Sequence, residues 1–191
     1  MEQEELISDL KRGDPKALES LFSVYKDKVF NTALGYLQNI QDAEEITQDV
    51  FIEIFDSSGK FKGDSALSTW IYRITINKCL DRIKYQKRKK RFAAVTSIFK
   101  PDTGELNIDV PDLIHPGIEI ELKEQSQILF KALNKLPDNQ KTAFILSKIE
   151  SLSYKEISEV LKCSVSSVES LIFRAKQNLK KELSGKFDEL H

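Results

Sequence analysis

A chain of 191 residues, 40% hydrophobic and 31% charged, has the composition of an ordinary globular protein and the length for one or two domains. Cys79 and Cys163 are its only cysteines, which excludes a disulfide framework and points to a reducing compartment. The net charge of −1 hides segregation: Val29 to Gly59 and Pro101 to Leu122 carry no Lys or Arg, whereas Ile71 to Arg91 holds nine basic residues against one acid, Asp81. Blocks of this kind suggest separate surfaces for separate partners, the basic one recruiting polyanions. The N-terminus, MEQEELISDLKRGD, has no apolar signal core and no later run is long enough to span a bilayer, so a cytoplasmic location is expected.

In chain order, Leu6, Ile7 and Leu10 predict a short helix stopped by Gly13, Asp14 and Pro15. From Pro15 the three-and-four spacing of Ala17, Leu21, Tyr25, Val29, Ala33 and Leu37 predicts a long amphipathic helix to about Leu37. Asp42, with Glu45 three places on, is the expected N-cap of a third helix reaching about Phe55. Asp42, Glu45, Asp49 and Glu53 form an acidic stripe along it, either a solvated face or a docking site for a basic helix. A polar turn, Phe61 to Ser65, leads into a fourth helix, which Ser68 or an earlier serine caps ahead of Trp70. Leu67, Ile71, Ile74 and Leu80 are expected inside, leaving Arg73, Asn77, Lys78, Arg82 and Lys84 outside. Aromatics among cations beside a polar loop suit a surface that holds phosphates and accepts unstacked bases.

Periodicity fails from Phe92 to Pro116, where proline, glycine and acids mark a linker. The expected architecture is all-α: a helical domain at 1–92, a flexible acidic linker at 93–117, and a second helical domain at 118–191. Beyond the linker, helices are predicted from Ile118 to Leu136, from Pro137 to about Glu150, from Ser153 with a capping box to Glu156, and from about Val165. The last two, separated by Lys162 to Ser164, have the pattern of a helix-turn-helix. Ser164, Ser166, Ser167, Glu169 and Ser170 would then stand near base edges, with basic residues on later turns near phosphates.

The blocks DAEEITQDVFIEIF (Asp42 to Phe55), FKGDSALSTWIYRITINKCLDRIK (Phe61 to Lys84) and LPDNQKTAFILSKIESLSYKEISEVLKCSVSSVESLIFRAKQNLKK (Leu136 to Lys181) resemble, in order and spacing, regions 2 and 4 of the extracytoplasmic-function (ECF) sigma factors of the sigma-70 family. The resemblance implies a promoter-specificity subunit that binds core RNA polymerase and helps open the duplex. By matching position it implies that Asp42, Glu45, Asp49 and Glu53 dock on the clamp helices of the beta-prime subunit. It implies that the loop of Phe61, Lys62, Gly63, Asp64 and Ser65 captures a base flipped from the minus-10 element. Trp70, Arg73, Asn77, Arg82 and Lys84 are then the neighbouring minus-10 contacts. The second domain would dock on the beta flap and place Ser164, Val165, Ser166, Ser167, Glu169, Ser170, Arg174 and Lys176 at the minus-35 major groove, while the linker threads the RNA exit channel. Glu169 and Leu171 stand where family members often carry basic residues; a glutamate there can accept a hydrogen bond from cytosine. An anti-sigma factor is an implied candidate partner.

Two rival readings use the same residues. A duplex-binding regulator would need only the helix-turn-helix and not the Phe61 to Arg91 block. A nucleic-acid enzyme would need reactive groups, yet the only histidines are His115 and His191, the cysteines are far apart in sequence, and no Walker-type glycine loop occurs. No cofactor, metal or catalytic residue is expected.

Overall fold

A computed structural model describes residues 3–97 and 128–184, and every regular element among the described residues is helical. The first half contains α1 (Gln3–Lys11), α2 (Pro15–Leu37), α3 (Ile40–Ser57), a single 3-10 turn (Ser58–Lys60) and α4 (Leu67–Ser97). In the second half residues 128–133 are helical, followed by α5 (Asp138–Lys148), α6 (Tyr154–Leu161) and α7 (Val165–Leu183).

The punctuation of the chain explains these boundaries. Gly13 takes φ +76°, and Asp14 caps α2 by accepting from the Lys16 N–H, with Pro15 at the first helical position. The cap of α3 is Asn39, not Asp42: the Asn39 side chain accepts from the Asp42 N–H at 2.8 Å, so the helix starts earlier than the acid pattern suggests. Ser68 lies inside α4 and does not cap it. α4 also continues to Ser97, past the expected linker start at 93, because its Lys- and Arg-rich end is built of good helix formers. The rest of the expected linker, and the start of the helix expected from Ile118, lie outside the described residues. Pro137 stands just before α5, while Ser153 and Glu156 form the expected capping box of α6.

In the first half α2, α3 and α4 pack together around Leu21, Val29, Val50, Ile54, Leu67 and Ile71, all close to fully buried. In the second half Val168, Ile172, Ala175 and Leu179 are the buried face of α7, as their spacing predicts.

The sequence does not announce that the two halves are joined. Their apolar residues form one continuous cluster running from Leu10 to Ile172, with α2 packed on α5 and α4 on α6. At the closest approach Gly35 of α2 lies under Ile145 and Ile149; a Cβ there would sit 2.9 Å from the Ile149 Cδ1. The polar groups of this seam follow one logic. Helix ends leave carbonyls without partners, and a cation near a C-terminus satisfies them and complements the helix dipole. At the end of α2, Lys141 from α5 donates to the Tyr36 carbonyl at 2.9 Å and to the Asn134 Oδ1 at 2.7 Å. At the end of α6, Arg73 from α4 donates to the carbonyls of Glu159 at 2.6 Å and Val160 at 3.4 Å. Each half therefore caps a helix of the other. The hydroxyls of Tyr36 and Thr142 bond across the seam, Tyr72 donates to the Glu150 Oε2 at 2.9 Å, and the Gln38 amide bridges the Phe130 carbonyl at 2.8 Å and the Asn134 side chain at 2.7 Å.

Burial lowers the Lys141 ammonium pKa to about 8, with Lys87 acting in the same direction and Cys79 and Asp138 opposing it. Burial also raises the Tyr36 hydroxyl above its ordinary value and pushes the Cys79 thiol up to about 12. A lysine whose folded value is depressed gives up its proton in the packed chain before it does in the unfolded one. The cost of burying its charge is therefore fully present below about pH 8 and is relieved as pH rises towards the ordinary lysine value of 10.5. Denaturation midpoints measured from pH 7 to 10 should rise for the wild type relative to Lys141→Met, the difference developing above about pH 8. A constant difference would remove Lys141 as the titrating group.

Candidate nucleic-acid interface

Three surfaces carry the expected functional residues. The first is α3. Its acids do not form a free stripe, because α4 lies alongside and answers them: Lys78 reaches Glu53 at 3.5 Å, Arg82 reaches Asp42 at 3.3 Å and also pairs with Glu45, and Gln86 donates to Asp42 at 2.9 Å. Burial acts against the Arg82 charge, but the Glu45 hydrogen bond and the field of Asp42, Glu45 and Asp49 outweigh it and raise its pKa. A basic helix thus does dock on the stripe, and it belongs to this chain. Arg82 and Lys78, expected outside, are partly drawn into that pairing. Asp49 is exposed and makes no direct ion pair among the described residues; with the outer edges of Glu45 and Glu53 it is the part of the stripe still open to another molecule. A pair as exposed as Lys78–Glu53 contributes little to stability, so exchanging it for an external partner costs little, whereas Arg82–Asp42 is more enclosed.

The second surface is the turn before α4 and the outer face of that helix. Phe61 is buried and tilts onto Trp70 with ring centroids 4.9 Å apart. It is therefore a floor for the loop, and Lys62, Gly63 and Asp64 are the exposed residues above it, with Ser65 half-buried. Gly63 takes φ +81°, a conformation that side chains resist, and this turn sets the direction of Lys62 and Asp64. Further along, Thr69 is buried with its hydroxyl 3.4 Å from the Glu159 Oε2, and Arg73 is engaged in capping α6. Arg73 was expected outside; the carbonyl end of α6 draws it into the seam. Asn77 remains exposed, lining a cavity of about 300 Å³ shared with Asn139, Thr142, Val160 and Lys162 from the second half. Lys84 is exposed and pairs with Asp81 at 3.2 Å.

The third surface is the helix-turn-helix. Lys162, in the left-handed conformation, ends α6 and starts the turn. Ser164 then caps α7, accepting from the Ser167 N–H at 3.2 Å, with its hydroxyl 3.0 Å from that of Ser166 and 2.8 Å from that of Ser167. Val165, Ser166, Ser167, Glu169, Ser170, Arg174 and Lys176 are all exposed on the side away from the core. Sequence reasoning missed Phe173, which is 61% exposed on the same outward face. Its place four residues after Glu169, off the Val168–Ile172–Ala175 stripe, was the available signal. The seam residues Tyr36, Lys141 and Thr142 were also missed, since nothing in the order of residues says which helix end a distant cation will cap.

The geometry is asymmetric: the outer face of the second helix of the helix-turn-helix is open to solvent, whereas the Thr69–Arg73 part of α4 is covered by α6. Among the described residues no helix is long and apolar enough to cross a membrane, and no group of His, Cys, Asp or Glu is placed to hold a metal.

Comparison with known proteins agrees with both modules. The sigma-70 region 2 family model matches residues 21–89 and the sigma-70 region 4 family model matches residues 126–179. The chain is 31% identical to the RNA polymerase sigma-H factor of Pseudomonas aeruginosa, covering 95% of this chain and 94% of that protein. It is 32% identical to the ECF RNA polymerase sigma factor SigW of Bacillus subtilis, covering 93% and 94%. In fold it is similar to CnrH, solved with the cytosolic domain of CnrY, at 20% identity and a TM-score of 0.66, covering 94% and 95% of the two chains. RpoE of Bartonella quintana, solved with the anti-sigma factor NepR, is similar at 22% identity and a TM-score of 0.60, covering 89% and 98%. On these matches the chain belongs to the ECF group of RNA polymerase sigma factors in the sigma-70 family.

Proposed function

We propose that this chain binds core RNA polymerase, directs it to a restricted set of promoters and assists duplex opening there. The observation that carries this is the presence, in one chain, of an aromatic-floored glycine turn feeding a basic helix and, separately, an outward-facing capped recognition helix. The first suits unstacked strand and the second suits intact duplex. A regulator acting on duplex alone accounts only for the second.

In this reading the chain up to the end of α4 at Ser97 forms the polymerase-docking and minus-10 domain, the stretch from there to residue 117 the linker, and 118–191 the minus-35 domain. Asp49, Glu53 and Glu45, with the more enclosed Asp42, meet the beta-prime clamp helices. Opening costs about 1.4 kcal/mol of stacking per base-pair step, so stabilising one extruded base and neutralising nearby phosphates shifts the balance without covalent chemistry. Lys62, Gly63, Asp64 and Ser65 form the capture turn over the Phe61–Trp70 floor, and Asn77, whose amide can pair with a base edge, reads a neighbour. Arg73 and Arg82 join the contact set once their present partners release them, and Lys84 adds a phosphate contact. On α7, Ser164 to Ser170 face base edges, and Arg174 and Lys176 hold phosphates. Phe173 adds an apolar contact of the kind that reads a thymine methyl. Sigma factors are non-enzymatic polymerase subunits, and this reading requires no cofactor or metal. The site of action is the cytoplasm, where the polymerase works, and an anti-sigma factor is a candidate restraining partner.

Purified core polymerase with and without the chain, on genomic templates, tests the proposal: identical start sites in both reactions would end it. Asn77→Ala should lower promoter opening roughly fivefold or more, since a base contact contributes about 1–3 kcal/mol, while leaving co-purification with core polymerase intact. Equal loss of both would count against base reading by Asn77. Reversing Asp49 and Glu53 together to Lys should weaken assembly with core polymerase while the free chain keeps its helical content; unchanged co-purification would reject the docking role.

A further inference from the structure

At the end of α2, beside α4 and α5, lies a cavity of about 280 Å³ that no promoter or polymerase contact uses. Its charge is one-sided. Lys87 and Lys90 line it from α4 and Lys141 from α5, whereas Asp138 is the one carboxylate among its described lining residues, in a chain whose net charge is −1. Lys87 and Lys90 are exposed and make no ion pair among the described residues. Lys141 is only 4% exposed, and its two hydrogen-bond acceptors, the Tyr36 carbonyl and the Asn134 Oδ1, are neutral. Its ammonium also lies 5.3 Å from the Tyr36 ring centroid, and one of its three N–H donors has no hydrogen-bond acceptor among the described residues. Burial lowers its pKa to about 8, and Lys87 acts in the same direction. Three cations converging on one concave space, one of them held out of water, form an arrangement that an anion relieves. Arg88 and Lys89, equally exposed on the same turn of α4, do not line it.

We propose that this cavity is a binding site for a small diphosphate or triphosphate anion, inorganic or carried by a nucleoside, gripped by Lys87 and Lys90 of α4 and Lys141 of α5. Lys87 and Lys90 stand three residues apart and are therefore neighbours on one face of α4, which suits two phosphoryl groups better than one. A lysine meets phosphate as a point charge on a flexible stem, so the two exposed side chains can close over an anion that Lys141 holds from the buried side. Gln86 and Asn134 also line the cavity, and each amide keeps an N–H beyond the one given to Asp42 or to Gln38. Leu37, Ile83 and Leu136 supply apolar wall, the kind of surface that covers an attached base, in a cavity at the small end of ligand pockets. A nucleic-acid strand fits less well, because a phosphodiester carries one charge per phosphate and its backbone cannot follow a concave path to a lysine only 4% exposed. The site does not depend on the sigma-factor reading, since binding to the free chain involves neither polymerase nor promoter.

Calorimetric titration of the full-length chain with inorganic pyrophosphate, in metal-free buffer at about 0.15 M salt where attraction between distant exposed charges is largely screened, tests the site. The expected result is saturable one-to-one binding, with a rise in melting midpoint of about 3–6 °C at ten times the dissociation constant. Lys87→Gln with Lys90→Gln should weaken binding at least about tenfold, since both are exposed and free to change without loss of a partner. Arg88→Gln with Lys89→Gln removes the same charge from the same turn outside the cavity and should leave affinity within about twofold. Lys87→Arg with Lys90→Arg should retain binding. Lys141→Met should lose it; because that residue also caps α2, the exposed pairs decide the matter if this variant fails to fold. ADP separates the two sources of the anion: tighter binding than pyrophosphate assigns the site to a nucleotide, weaker binding to the inorganic ion, and either supports the proposal. No saturable binding at millimolar pyrophosphate, or equal loss in the Lys87–Lys90 and Arg88–Lys89 pairs, would overturn it. So would a single-stranded oligonucleotide that binds through Lys87 and Lys90 while pyrophosphate does not. None of these outcomes bears on where polymerase starts transcription, so failure here leaves the sigma reading to its own test.

Discussion

Two cations hold this structure in its arrangement, each at the C-terminal end of a helix that belongs to the other half of the chain. Lys141 fills the Tyr36 carbonyl at the end of α2, and Arg73 fills the Glu159 and Val160 carbonyls at the end of α6. Unfilled carbonyls at a helix end must find a donor, and a cation adds a favourable interaction with the dipole. Because the donors come from across the seam, satisfying these ends also fixes how the halves sit against each other. The apolar contacts of Gly35, Ile145 and Leu146 make the seam close-fitting; the two caps make it specific.

The same principle divides the functional surfaces. α7 turns its Val168–Ile172–Ala175–Leu179 face inward and receives no side-chain hydrogen bond from the first half among the described residues, so its outer face stays free. α6 ends on a left-handed Lys162 whose N–H turns back to the Glu159 carbonyl, and Arg73 adds a cation at that carbonyl end. A residue that the resemblance assigns to DNA therefore has a structural task in the packed chain. The acidic stripe of α3 behaves in a similar way, with Asp42 and Glu45 held by Arg82 while Asp49 faces outward. Partners of this protein must displace intramolecular ones, and the exposed, weakly held pairs are the ones that exchange at little cost.

The buried groups differ in what they tolerate. Phe61 and Trp70 form an apolar floor whose role is to hold the Gly63 turn in shape, so the loop chemistry depends on a buried phenylalanine and a half-buried tryptophan beneath it. Lys141 is the opposite case, a charge kept where burial opposes it. Replacing such a group with an apolar one often leaves stability unchanged or improves it, so its contribution lies in specifying one arrangement.

Much was legible in the order of residues. The three-and-four spacing placed α1, α2, α6 and α7 almost to the residue, since apolar periodicity, Pro15, Gly13 and the Ser153–Glu156 box act over a few residues of chain. The blocks from Asp42 to Phe55, Phe61 to Lys84 and Leu136 to Lys181 carried the family, and the comparisons agree. Sequence alone missed the Asn39 cap because it favoured the more acidic candidate, and it placed Arg73, Lys78 and Arg82 in solvent because a helical wheel knows only its own helix. Which carbonyl a guanidinium reaches some 87 positions away, and whether two separately stable-looking modules share one core, depend on the free energy of packing in three dimensions. Local pattern determined the helices and the surfaces they could offer; only the tertiary structure decided which of those surfaces is already in use.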